Sequence, residues 1–186
     1  PQLLAFVSSP QNLSRLEAIR QNNLMKAGLF EGTPDPALDI AIVWLGFSVH
    51  GNEAAGSESS MAVIYELAGN HNPETAKWLE NTLVIIDPSQ NPDGYSRYTS
   101  WYRDIAPTLP DPNPQAREHV EPWPGGRVNH YMFDLNRDWA WQTQKESQNR
   151  IKMFLGWLPH IHPDIHEQGY NGNYYFAPAA QPYHKY

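Results

Sequence analysis

Apolar positions along the chain fall into two kinds of pattern. Residues 3–7, 40–49 (IAIVWLGFSV) and 82–86 (TLVII) form short continuous blocks of strand length. Unbroken apolar character of this kind marks strands covered on both faces, as in a parallel sheet. Between the blocks, apolar residues recur at helical spacing. Pro10 precedes Leu13, Leu16 and Ile19, which share one face of a helix reaching about Ala27; Gly28 and the Gly/Pro-rich residues 32–36 end it. Residues 57–67 read as a second helix, with Met61, Ile64, Tyr65 and Ala68 turned to the core. Residues 143–158 read as a third. Thr143 and Glu146 make a capping-box pattern, Ile151, Phe154, Leu155 and Leu158 form the stripe, and Pro159 is the stop. Residues 164–166 and 174–177 read as short strands.

Residues 89–138 break the alternation, being rich in Pro, Gly, Asn and Asp. They are expected to be irregular, and an irregular stretch of that length is usually functional. Within it, Asn91-Pro92-Asp93-Gly94 reads as a turn, with Pro second and Gly fourth. Strands alternating with helices indicate an α/β fold whose site lies in loops at the strand ends. One domain over residues 1–186 is expected.

Composition narrows the chemistry. The formal net charge is −7, with no Lys/Arg run, which argues against nucleic acid or an anionic membrane as partner. No apolar stretch is long enough to span a bilayer. Cysteine is absent, so any metal must be held by His, Asp or Glu. Absent cysteines suit cytosol and periplasm alike; a periplasmic or secreted setting is expected over a cytoplasmic one.

Three polar segments stand out against that background. The run over 40–49 leads directly into His50-Gly51-Asn52-Glu53, where residues three apart can share one side of a helical turn. Taken alone, such an HxxE is as well explained by a strand-end turn with a solvated Glu. Asp134-Leu135-Asn136-Arg137-Asp138 sets polar groups between Phe133 and Trp139, where burial without partners is costly. Pro163-Asp164-Ile165-His166-Glu167 ends a short strand on a third His.

In this order, and with the Asn91–Gly94 loop between them, these segments resemble the M14 zinc carboxypeptidase family over residues 10–175. The resemblance implies a mixed, mostly parallel sheet with helices on both faces. It implies that His50, Glu53 and His166 hold one zinc ion, the family's His/Glu/His set. Asp134 would accept the ring N–H of His50. Asn136 and Arg137 would grip the free C-terminal carboxylate of a peptide substrate. The arginine that polarises the scissile carbonyl lies between the two loop motifs: Arg103 is the first choice and Arg97 the second. Arg127 is also in range, although Gly125-Gly126 before it reads more simply as a turn. The family's general-base Glu and covering Tyr come well after the third ligand, and Glu167 would aim away from the zinc. The chain is therefore expected to be a central fragment of a larger enzyme, binding zinc but hydrolysing peptides poorly by itself. Rival readings are an N-acyl amino acid hydrolase of the succinylglutamate desuccinylase and aspartoacylase type, sharing fold and ligands, and a zinc-binding pseudoenzyme or peptide-binding module. A barrel amidohydrolase, suggested by His160-x-His162, would need more strand–helix units than the pattern offers.

Overall fold

The computed structural model describes residues 3–69 and 71–169. The expected strand at 174–177 lies outside them. Four strands form one sheet in the order β1-β3-β2-β4: β1 Ala5–Val7, β2 Ala41–Phe47, β3 Thr82–Asp87 and β4 Asp164–Ile165. β2 pairs in parallel with both β3 and β4, and β1 pairs antiparallel with β3. The sheet is thus mixed and mostly parallel, as the sequence implies.

Successive strand residues point to opposite faces, so each apolar run feeds two cores. On one face Ile42, Trp44, Leu83 and Ile85 pack with Ile19, Phe154 and Trp157, which come from α2 (Leu16–Lys26) and α6 (Lys145–Trp157). On the other face Phe47, Val84 and Ile86 meet Val63, Ile64 and Leu67 of α3 (Ala54–Ala68) and Leu79 of α4 (Pro73–Leu79). No helix of the described residues is long and apolar enough to cross a membrane.

Several elements differ from expectation for local reasons. The first helix is split, α1 (Pro10–Leu13) preceding α2. Ser14 Oγ donates back to Gln11 O, and the buried Asn12 amide donates to Ser8 Oγ and to the carbonyls of Leu79 and Glu80, which pins the chain beside α4. In α3 the buried positions are Gly56 and Ser60, while Met61 and Tyr65 are exposed. A Cβ at Gly56 would lie 2.8 Å from Ser48 Oγ, so this close approach, together with Val63, Ile64 and Leu67 on the core, sets the rotation of the helix. In α6 Leu155 is exposed, whereas Arg150 and Trp157 are buried.

The larger correction falls in 89–138. Asn91-Pro92-Asp93-Gly94 opens a helix, α5 (Pro92–Ile105). Asn91 Oδ1 accepts the Gly94 N–H at 2.9 Å, and Pro92 occupies the first helical position, where its missing N–H costs nothing. A turn and a helix start look alike over four residues. Short 3-10 turns over Arg117–His119 and Leu135–Arg137 interrupt the rest.

Candidate metal centre

The sheet register brings the strand-end motifs together. β4 pairs with β2 at Gly46↔Asp164 and Phe47↔Ile165, so the chain leaves both strands at the same edge. After β2, Ser48 takes a left-handed conformation (φ 50), and its hydroxyl donates to Glu53 O at 2.8 Å. The Glu53 N–H closes the turn on His50 O at 3.1 Å.

Within that frame Glu53 stands between two imidazoles. Its Oε1 is 2.7 Å from His50 Nδ1 and its Oε2 is 3.0 Å from His166 Nδ1. The Glu167 N–H adds a bond to Oε2 at 2.9 Å. One ligand atom from each of the three side chains lies within 4.8 Å of the others. His50 is buried (3% exposed), and the half-open side of the cluster is at His166. Burial alone would raise the Glu53 carboxyl. The His50 bond, the Glu167 N–H and the charges of both histidines outweigh it and hold the carboxyl below its ordinary value.

The outward nitrogens of both rings meet carboxylates. His50 Nε2 is 3.3 Å from Asp134 Oδ1, off-line for a hydrogen bond. His166 Nε2 is 3.0 Å from Asp164 Oδ2. Such pairs commonly orient imidazoles that ligate metals. Two inward Nδ1 atoms, one carboxylate and two outer carboxylates fit a divalent cation that prefers N/O donors in a three-ligand site.

Asn136 lies at the cluster, its Nδ2 3.3 Å from His166 Nε2. Arg137 shares its 3-10 turn, is exposed, and walls a cavity of about 250 Å³ with Phe133, Asp134 and Trp141. The two arginines favoured from sequence stand elsewhere. Arg97 donates to the carbonyls of Gly125, Val128 and Asn129, fixing the loop opposite α5. Arg103 is exposed in the last turn of α5. The guanidinium brought to the site is that of Arg127, whose Nε and Nη2 both lie 2.9 Å from Asp134 Oδ2.

Glycines make that placement. A Cβ at Gly51 would lie 2.0 Å from Tyr95 N, and one at Gly94 would lie 2.2 Å from Gly126 O. A Cβ at Gly126 would meet Gly94 O at 2.6 Å and Asn52 N at 3.0 Å. The post-β2 turn, the start of α5 and the loop before Arg127 therefore stack backbone on backbone. The Gly125-Gly126 pair was the available signal, and it marks close approach rather than a free turn. Glu167 Oε1 accepts the Gly56 N–H at 3.3 Å, directed toward α3. His160 Nδ1 accepts the Ile42 N–H, and His162 packs between Trp139 and Phe154, so neither joins the cluster.

Comparison with known proteins shows the family and the fold. The family model described as zinc carboxypeptidase matches residues 20–153. Carboxypeptidase 2 of Trichophyton tonsurans is 30% identical over 128 residues, covering 67% of this chain and 18% of that protein. Human carboxypeptidase D is 28% identical over 144 residues, covering 73% of this chain and 9% of that protein. The chain thus spans less than a fifth of the length of these relatives. A crystal structure named for a carboxypeptidase, from Burkholderia mallei, shares the fold with a TM-score of 0.50 at 19% identity, over 74% of this chain and 30% of its own. The chain belongs to the zinc carboxypeptidase family.

Proposed function

We propose that this chain carries the zinc site and the carboxylate-recognition elements of a carboxypeptidase that removes residues from the free C-terminus of peptides. The observation that carries the reading is the convergence of His50, Glu53 and His166 beside Asn136 and Arg127. Zinc bound there would supply an activated water and polarise the scissile carbonyl. Arg137, exposed beside the cluster, offers a planar fork for the two oxygens of a C-terminal carboxylate, with Asn136 as a second donor. Arg127 takes the role first given to Arg103 or Arg97: held by Asp134, it is poised to donate to charge developing on the carbonyl oxygen. Asp134 would both steady Arg127 and face the outer nitrogen of His50.

Two measurements on the full-length protein test this. Zinc content near one per chain should be lost in His50→Ala and His166→Ala. Hydrolysis should require a free C-terminus, so amidated peptides resist. Cleavage of N-acetyl amino acids in preference to peptides would instead support the N-acyl amino acid hydrolase reading. No zinc uptake by folded protein would overturn both.

A further inference from the structure

The geometry points to Asp164 as a positioning residue that sets the tautomer of His166, and with it the affinity of the site for its metal. This rests on the metal-centre reading. Asp164 and His166 are two apart along the β4 strand and its exit, so both side chains leave the same face. Asp164 Oδ2 sits 3.0 Å from His166 Nε2 while His166 Nδ1 faces Glu53 at 3.0 Å. Both carboxylates only accept, so either ring nitrogen can hold the hydrogen here; a cation taken between Nδ1 and Glu53 would need the Nδ1 lone pair, and Asp164 is placed to hold the hydrogen on Nε2.

Asn136 makes that choice consequential. Its amide nitrogen lies 3.3 Å from the same Nε2. With Nε2 protonated, that nitrogen has no lone pair to accept from Asn136, and the amide is left to donate elsewhere, namely to substrate. Without Asp164, Asn136 can donate to Nε2. The ring hydrogen then moves to Nδ1, the nitrogen facing the metal position. Asp164 thus decides which partner His166 takes and which partner Asn136 is spared. Behind it lies the buried Arg150 of α6, whose charge interacts with Asp164.

The test compares Asp164→Ala and Asp164→Asn with the parent full-length protein. Zinc dissociation constants come from chelator competition, the visible spectrum from the cobalt(II) form, and the melting temperature from the metal-free form. Asp164→Ala should weaken zinc binding by about 10- to 100-fold and alter the cobalt spectrum, with metal-free melting unchanged. Asp164→Asn keeps an oxygen acceptor and should restore most of the affinity. Zinc binding by Asp164→Ala within about twofold of the parent, where His166→Ala abolishes it, would overturn the role of Asp164 and leave the metal site standing. A weakening matched by lower metal-free melting would show a structural role alone and also overturn it. A parent that takes up no zinc would remove the metal-centre reading and this inference together.

Discussion

Replacing Asp138 with Ala probes what holds the turn that presents Asn136 and Arg137. Asp138 follows that turn and ties it to Thr143 and Gln144, the two residues that lead into α6. Its Oδ1 accepts from Thr143 N at 2.9 Å and Thr143 Oγ1 at 2.7 Å, and its Oδ2 accepts from Gln144 N at 2.9 Å. The side chain is 4% exposed. Hydrogen bonds to a charged group contribute about 1.5–3 kcal/mol net. A second route starts from the carboxyl itself. Burial would raise its pKa, but the Ser147 and Thr143 hydroxyls and the two N–H groups outweigh it, giving about 2 in place of 3.8. That difference converts to about 2 kcal/mol at neutral pH. The two routes agree, and the Ala variant should lose about 2 kcal/mol near pH 7. The sign follows from the direction of the shift. A carboxyl depressed in the folded state stabilises fully above 3.8 and loses that contribution as pH falls through about 2. About half should remain near pH 3. Urea unfolding of parent and variant at both pH values measures the difference. A difference that does not shrink in acid would refute the charged tie, and one below about 0.5 kcal/mol at neutral pH would refute the tie altogether.

Three further outcomes are expected. Arg127→Ala should lower kcat/KM of the full-length protein by about 10²- to 10³-fold with zinc content intact, whereas Arg103→Ala should stay within about twofold; the reverse pattern would return the role to Arg103. Gly51→Ala forces a Cβ against the Tyr95 backbone, so it should cost about 1–3 kcal/mol or more in urea unfolding and reduce zinc stoichiometry. Burial pushes the Asp87 carboxyl up to about 7 against the pull of Arg150. A raised carboxyl stabilises below its ordinary 3.8 and loses that contribution as pH rises through about 7. Asp87→Asn, which never ionises, should therefore gain in melting temperature relative to the parent as pH rises from about 4 to about 7 and hold a steady gap above that, and a gap constant across that lower range would contradict this.

How much was legible in the sequence depends on what positions each group. β2 and β3 announce themselves because both faces are covered, leaving almost no polar interruption through 40–49 and 82–86. His50 and Glu53 follow β2, and His166 follows β4, so the ladder that pairs those strands also delivers the cluster. The strand ends account for the three side chains coming together, whereas their reading as metal ligands comes from the family resemblance, since HxxE alone fits a solvated turn equally well. α5 was hidden because its inner side is not an aliphatic stripe but Gly94, Arg97, Tyr98 and Trp101. Its opening residues are also the ones a turn would use. Arg127 is in range by sequence but ranks behind Arg103 and Arg97 for a related reason. Its place depends on Gly51, Gly94 and Gly126 packing backbone to backbone, three positions far apart in the chain with no periodicity among them.

The same division explains why Arg97 looked plausible and stands elsewhere. An arginine on the inner side of α5 lies between the two loop motifs in sequence, as a carbonyl-polarising group should. In space it faces the carbonyls of Gly125 and Val128, which the loop's backbone leaves unpaired, and that of Asn129, which also accepts the Met132 N–H. Satisfying those acceptors fixes the loop, and the fixed loop carries Arg127 to Asp134. One guanidinium is thereby used as scaffold so that another, thirty residues on, can face the site. Arg97→Ala should consequently reduce activity through Arg127, and a second substitution at Arg127 should then add little. Independent, additive losses in the double variant would separate the two residues and break this link.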